Sequence, residues 1–130
     1  MVNYESSKKE LILYNNICIS KMKVTIDSFI VHVGKSAKEN WELFDEAEPT
    51  DIWFHLDDCS SPYIILELPE NTQLTKDTII KCAKLCKSHS KEKNSTRSSV
   101  IYCPIKNLKK GKTMGTVFLH KTPEHIFIYE

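Results

Sequence analysis

The sequence lacks the segments that would direct it into or through a membrane. No apolar run approaches the roughly 18 residues that a membrane-spanning helix needs, and the N-terminus lacks the basic-then-apolar layout of a signal peptide. The five cysteines are an odd number without the spacing of a disulfide framework, a pattern typical of reduced thiols. We therefore expect an intracellular protein, cytoplasmic with the nucleus as the alternative, that has no membrane segment.

The sequence also lacks the first glycine of a phosphate-binding loop. Gly34-Lys35-Ser36 matches the end of the pattern G-x-x-x-x-G-K-[ST], but Phe29 occupies the position of the leading glycine. The intervening residues are those of a β-strand, which excludes a nucleoside-triphosphatase loop. What remains is the start of a helix, either a simple capped turn or a place where free amides and Lys35 hold one phosphate.

Cysteine and histidine spacing gives little support to a metal site. There is no Cys-x-x-Cys pair, and Cys82 and Cys86, which with His89 would lie on one face of a helix, border an apolar stripe where free cysteine behaves as a core residue. The set His32, His55 and Cys59 from neighbouring strands is no stronger. We expect no metal and no cofactor.

Catalysis is also not indicated. Cys59 or an adjacent serine is near His55 in the sequence, but no glycine-rich oxyanion element follows and the segment fixes no geometry between nucleophile and base. The sequence favours a protein that is not an enzyme. A hydrolase that uses His55 and Asp51 is the third-ranked alternative.

Charge is divided unevenly along the chain, although the net charge is only +1. Residues 1–75 carry 6 lysines against 13 acidic residues, a net charge of −7, and residues 76–130 carry 12 basic against 4 acidic residues, a net charge of +8. A basic half suggests an anionic partner such as nucleic acid. Lysines spread evenly over the surface would give the same count.

Local patterns predict one α+β domain of 130 residues, with a mostly antiparallel sheet and two main helices packed on it. The first ten residues are expected to be flexible, and residues 11–14 and 17–19 are expected to form either a hairpin or a strand with a bulge. Ser36 and Glu39 have capping-box spacing, which predicts a helix that ends before Pro49. Thr75 is expected to cap a second, longer helix. Strands are predicted at 24–33, 52–56, 63–68, 100–103, 115–119 and 126–129, with a basic loop at 107–112.

The second helix is expected to bury one stripe and expose another. Its apolar stripe comprises Ile79, Ile80, Ala83 and Cys86, and the flanking lysines Lys84, Lys87 and Lys91 are expected at the surface.

Gly34 and Lys35 are followed, at a defined distance, by the rare pentapeptide Asp51-Ile52-Trp53-Phe54-His55. The same pattern includes Asn40, Leu43, Pro49, Val100, Tyr102, Pro104, 107–110, Gly115, Val117 and Phe118. In these residues the sequence resembles the NFACT-R domain family, over about residues 28–129. The chain is most similar to the small standalone eukaryotic members. Where many members have Gly-Ser-His, this chain has Ser61-Pro62-Tyr63.

The resemblance implies a noncatalytic nucleic-acid-binding module. RNA, either tRNA or rRNA, is the expected partner, in association with the ribosome or with translation quality control; DNA binding is an alternative. On this hypothesis Lys35 and Lys38 hold phosphate, Trp53 or Tyr63 stacks on a base and His55 orients by hydrogen bonding. The full expected contact set is Lys35, Lys38, Asn40, Asp51, Trp53, His55, Tyr63, Lys109, Lys110 and Lys112.

A different class of function stays open. The acidic first half of the chain would suit a protein-interaction adaptor that docks a basic ribosomal or chaperone partner.

Overall fold

The computed structural model describes residues 22–129. The expectations for the first ten residues and for a hairpin at 11–14 and 17–19 lie outside the described residues. The helices are α1, Ala37–Glu46, and α2, Lys76–Ser88. The strands are β1, Met22–Ile26; β2, Phe29–Val33; β3, Ile52–Leu56; β4, Ile64–Leu66; β5, Arg97–Pro104; β6, Leu108–Lys110; β7, Val117–Leu119; and β8, Glu124–Tyr129. A 3-10 turn, Ile105–Asn107, joins β5 to β6.

A hairpin of β1 and β2 replaces the single strand predicted at 24–33. The chain reverses at Asp27 and Ser28, whose φ angles of 49° and 74° are those of a tight two-residue turn. The sequence prediction was wrong because this turn lacks the usual Asn-Gly or Asp-Gly signal. Contacts with α2 hold it instead: the Asp27 carboxylate accepts from Lys81 Nζ at 2.7 Å and from Thr78 Oγ1 at 2.8 Å.

Both helices begin at the predicted caps. Ser36 Oγ accepts from the Glu39 amide at 3.1 Å, and Thr75 Oγ1 accepts from the Thr78 amide at 3.2 Å. The Glu39 carboxylate reaches back to the Lys35 amide at 2.9 Å, one residue before the N-cap amide that a capping box uses. The end of α1 at Glu46 agrees with the predicted stop before Pro49.

The six-stranded sheet has the order β1-β2-β4-β3-β5-β8, and every neighbouring pair is antiparallel. Strands β6 and β7 form a separate antiparallel hairpin, so the predicted basic loop at 107–112 is strand in part. This architecture confirms the α+β prediction.

Alternation along the strands places the two helices on opposite faces of the sheet. Phe54 belongs to the cluster that packs against α2, whereas Trp53 belongs to the cluster that packs against α1 and the β6–β7 hairpin. The predicted α2 stripe is confirmed at Ala83 and Cys86, which are fully buried. Lys87 is 1% exposed, so its expected surface position was wrong; its ammonium donates to the Lys93 carbonyl at 3.2 Å.

Asp51 ties together three segments of the chain. Its carboxylate accepts from the Glu48 amide at 2.9 Å and from the Leu68 amide at 3.1 Å. Its own carbonyl accepts from the Ile105 amide at 2.8 Å. The side chain is 5% exposed, and the start of β3 is therefore fixed by a buried carboxylate rather than by loop chemistry alone.

We expect Asp51→Ala to destabilise the fold because it removes the acceptor for two backbone amides. Each buried amide left without a partner costs about 1–3 kcal/mol, so the free energy of unfolding should fall by at least about 2 kcal/mol in urea denaturation. The matched control is Asp58→Ala, an exposed carboxylate, which should change stability by less than about 0.5 kcal/mol. Equal effects of the two substitutions would contradict the role of Asp51.

Candidate nucleic-acid interface

Helix α1 and the β6–β7 hairpin lie side by side on the same face of the sheet. Trp41 Nε1 donates to the Thr116 carbonyl at 2.9 Å, and Lys110 Nζ lies 2.8 Å from an oxygen of Asp45. The backbones also approach closely at Gly115, where an added Cβ would lie 2.7 Å from the Ala37 Cβ. Gly115 has φ +88°, so both its conformation and its packing favour glycine.

Four of the five expected lysines are exposed on these two adjoining elements. Lys35 and Lys38 are exposed at the start of α1, and Lys109 and Lys112 are exposed on the neighbouring hairpin. Lys110 differs from these four because Asp45 binds its ammonium, which also lies 4.9 Å from the centre of the Trp41 ring. Four exposed lysines from two adjoining elements therefore make up the lysine face, defined as Lys35, Lys38, Lys109 and Lys112.

The helix start offers fewer free amides than the sequence suggests. The Gly34 amide donates to the Tyr63 carbonyl at 2.9 Å, the Lys35 amide to Glu39, and the Glu39 amide to Ser36. These three amides are therefore not available to a phosphate at this end of α1, which the exposed Lys35 and Lys38 could contact through their ammonium groups.

Asn40 is 8% exposed and lies under the helix start. Its Oδ1 accepts from the Tyr63 amide at 3.2 Å. A Cβ on Gly34 would come within 2.0 Å of the same oxygen. Asn40 therefore joins α1 to the beginning of β4, and the neighbouring Gly34 is required because no side chain fits.

Trp53 and Tyr63 lie in the core, so the expectation that one of them stacks on a base does not fit the structure. Their side chains are 2% and 1% exposed, and their rings meet edge to face with centroids 5.7 Å apart. The Tyr63 hydroxyl donates to the Gly115 carbonyl at 2.6 Å. Burial raises the pKa of Tyr63 to about 12, which keeps the hydroxyl protonated as a donor. Tyr63 thus anchors the hairpin loop to the sheet.

His55 is half-buried beside these rings. Its imidazole stacks on Trp53 with an interplanar angle of 9° and a centroid distance of 5.4 Å. Nδ1 donates to the Leu56 carbonyl at 2.6 Å, which orients the ring. Burial lowers the pKa of His55 and outweighs the opposite effect of the Leu56 hydrogen bond. The ring is therefore neutral at pH 7 and contributes orientation without charge.

Several exposed apolar side chains were not predicted from the sequence. Phe118 on the hairpin is 47% exposed, and Phe127 and Tyr129 on β8 are 45% and 67% exposed beside Arg97. The sequence predicted that β7 and β8 are buried, because β-branched and aromatic residues predominate in both strands. Residues 126–129 are apolar on both faces of β8, so the sequence carried no signal that Phe127 and Tyr129 lie on an uncovered face.

Residues 22–129 contain no group of three His, Cys, Asp or Glu side chains placed to hold a metal ion. Cys82 and Cys86 are fully buried, and burial raises the pKa of their thiols to about 12 and about 11. Both thiols are therefore protonated core groups.

The helices within residues 22–129 are too short or too polar to cross a bilayer.

We expect Tyr63→Phe to loosen the hairpin. The substitution removes the hydrogen bond to Gly115 and should cost about 1 kcal/mol. Amide hydrogen exchange should accelerate in β6 and β7 more than in the six-stranded sheet. Tyr102→Phe is the control because Tyr102 packs on the α2 face; faster hairpin exchange in the control, or none in Tyr63→Phe, would contradict the anchor.

The lowered pKa of His55 predicts a pH dependence of stability. Below the unfolded pKa of 6.5 the unfolded chain takes up a proton before the folded protein does, so folding stability falls as the pH decreases. His55→Phe keeps a ring on Trp53 and removes the titration. Between pH 7.5 and pH 5 the wild type should lose more unfolding free energy than the variant. Equal losses would show that His55 titrates normally.

The sequence matches one known protein family and several curated proteins. The family described as NFACT protein RNA binding domain matches residues 19–121. Coiled-coil domain-containing protein 25 of Danio rerio is 33% identical over 100 residues, covering 72% of this chain and 48% of that protein. Its Mus musculus counterpart is 32% identical over 104 residues, covering 75% and 50%. The chain spans about half the length of these curated relatives.

A solved structure shows the same fold. The C-terminal part of the fibronectin/fibrinogen-binding protein from Streptococcus suis superposes with a TM-score of 0.73 at 23% identity, covering 84% of this chain and 44% of that chain. The family match supports a nucleic-acid-binding role. The chain belongs to the NFACT RNA-binding domain family, and its relatives include the small eukaryotic coiled-coil domain-containing proteins.

Proposed function

We propose that this chain is a noncatalytic module that binds tRNA or rRNA through the lysine face, in association with the ribosome or translation quality control. The observation that supports the proposal is the docking of the β6–β7 hairpin on α1, because the start of α1 and the hairpin together carry four exposed lysines. The family match and the charge of residues 76–130 point to the same anionic partner. The proposal implies a location in the cytoplasm, or the nucleus.

The contacts of the candidate catalytic groups support a noncatalytic role. Both carboxylate oxygens of Asp51 accept backbone amides, and Nδ1 of His55 is bound to the Leu56 carbonyl. Burial raises the pKa of the Cys59 thiol, and its hydrogen bond to Glu92 raises it further. A thiol with a raised pKa is a poor nucleophile at neutral pH.

The prediction that follows concerns the salt dependence of RNA affinity. The probe is a tRNA-sized stem-loop RNA measured by fluorescence anisotropy between 50 and 300 mM salt. The double variants Lys35→Ala/Lys38→Ala and Lys109→Ala/Lys112→Ala each remove two expected phosphate contacts. Each should weaken binding about tenfold at 0.15 M salt and flatten the slope of log affinity against log salt by about 1.5.

The matched control is Lys76→Ala/Lys84→Ala, which removes the same charge from exposed positions of α2 on the opposite face of the sheet. It should leave the slope within about 0.5 of the wild-type value. A wild-type affinity that does not depend on salt, or equal losses in all three variants, would contradict the lysine face. A DNA stem-loop of the same sequence is included because phosphate contacts alone do not select RNA.

The adaptor hypothesis makes an opposite prediction. An association with ribosomes that survives nuclease treatment and all three lysine variants would identify a protein contact and would remove the support for RNA binding.

A further inference from the structure

A second surface lies at the outer edge of the sheet, on β5 and β8. We define the β8 patch as Arg97, Phe127 and Tyr129. Arg97 is the cross-strand partner of Tyr129, and Phe127 is two residues away on the same face. The guanidinium carbon lies 4.6 Å from the centre of the Phe127 ring and 6.0 Å from that of Tyr129. A planar cation and two aromatic rings therefore form one continuous surface.

The patch faces the same side of the sheet as the lysine face. Val100 and Ile128 alternate with the patch residues and belong to the core beneath α2. Ile101 and Cys103, which share a face of β5 with Arg97, belong to the core beneath α1 and the hairpin. Arg97 is six residues from Cys103, about 20 Å along the strand. Phe127 and Tyr129 are exposed, so α1 and the β6–β7 hairpin do not cover this end of the sheet face.

Folding alone does not explain the composition of the patch. Single exposed apolar side chains are ordinary on protein surfaces, but here two aromatic rings adjoin on one strand face, each about half or more exposed. Arg97 is the single arginine of the chain, whose other 17 basic residues are lysines. A guanidinium stacks on rings and bases in a way that a lysine ammonium does not.

We propose that the β8 patch is a stacking platform for one or two unpaired bases of an RNA whose backbone lies on the lysine face. The inference rests on the proposed function and adds its substrate class, which is RNA with an unpaired segment next to a structured one. Tyr129 offers its ring to a base, and the Arg97 guanidinium over Phe127 offers a second plane and a charge for phosphate. The positive charge and the shared side favour nucleic acid over an apolar protein partner.

The test compares a single-stranded RNA decamer with the same decamer built from abasic residues, which keeps the phosphates and removes the bases. Phe127→Leu/Tyr129→Leu should weaken binding of the decamer about tenfold or more. The salt slope and the affinity for the abasic decamer should stay unchanged, because no phosphate contact is removed. The matched variant Phe127→Tyr/Tyr129→Phe keeps both rings and should bind within about twofold of wild type.

Thermal melting of each variant accompanies the binding measurements. If the double leucine variant unfolds, the single variants Phe127→Leu and Tyr129→Leu replace it, and each should weaken decamer binding at least about threefold. Arg97→Lys keeps the positive charge but removes the planar guanidinium group. It should therefore lower the affinity for the decamer and leave the affinity for the abasic decamer and the salt slope unchanged.

Four outcomes would overturn the stacking platform. Decamer binding that is unchanged by the leucine variants but weakened by the lysine variants would remove the platform and leave the proposed function standing. Equal losses for the decamer and the abasic decamer would show that bases are not contacted. A concentration-dependent dimer in sedimentation that the leucine variants abolish, with decamer binding unchanged, would assign the patch to self-association. Failure of the wild type to bind any RNA at low salt would reject both proposals together.

Discussion

The docking of the β6–β7 hairpin against α1 is the constraint on which the candidate interface depends. The hydroxyl of Tyr63, the residue just before β4, donates to the Gly115 carbonyl, and the indole of Trp41 donates to the next carbonyl, that of Thr116. These contacts join parts of the chain separated by 52 and 75 residues. Without them the hairpin, which carries Lys109 and Lys112, would have no fixed position relative to α1.

The segment Asp51–His55 serves as the framework for that docking. Its aspartate fixes the beginning of β3 through backbone amides, and its tryptophan fills the α1 face of the sheet. His55 stacks on this tryptophan and Tyr63 meets it edge to face. Asp51 and His55, the two residues of the pentapeptide that resemble catalytic groups, therefore make contacts that stabilise the sheet and the core beneath the hairpin.

Elements governed by local chemistry could be predicted from the sequence. Ser36 and Thr75 start their helices because capping depends on residues three positions apart, and β3 follows from its β-branched and aromatic run. The hairpin at Asp27 and Ser28 could not be predicted, because distant contacts with Thr78 and Lys81 stabilise its turn. Nor could the burial of Trp53 and Tyr63, since alternation assigns residues to faces without showing which face is covered. For the same reason, the exposure of Phe127 and Tyr129 could not be predicted from the sequence.

We propose that RNA binds the side of the sheet that carries α1 and the β6–β7 hairpin. The most direct measurement is the change in backbone amide chemical shifts of the labelled protein as a stem-loop RNA is added. We expect the largest chemical-shift changes at the start of α1 and in β6 and β7, and almost none in α2. Changes concentrated on α2 and the β1–β2 hairpin would contradict it.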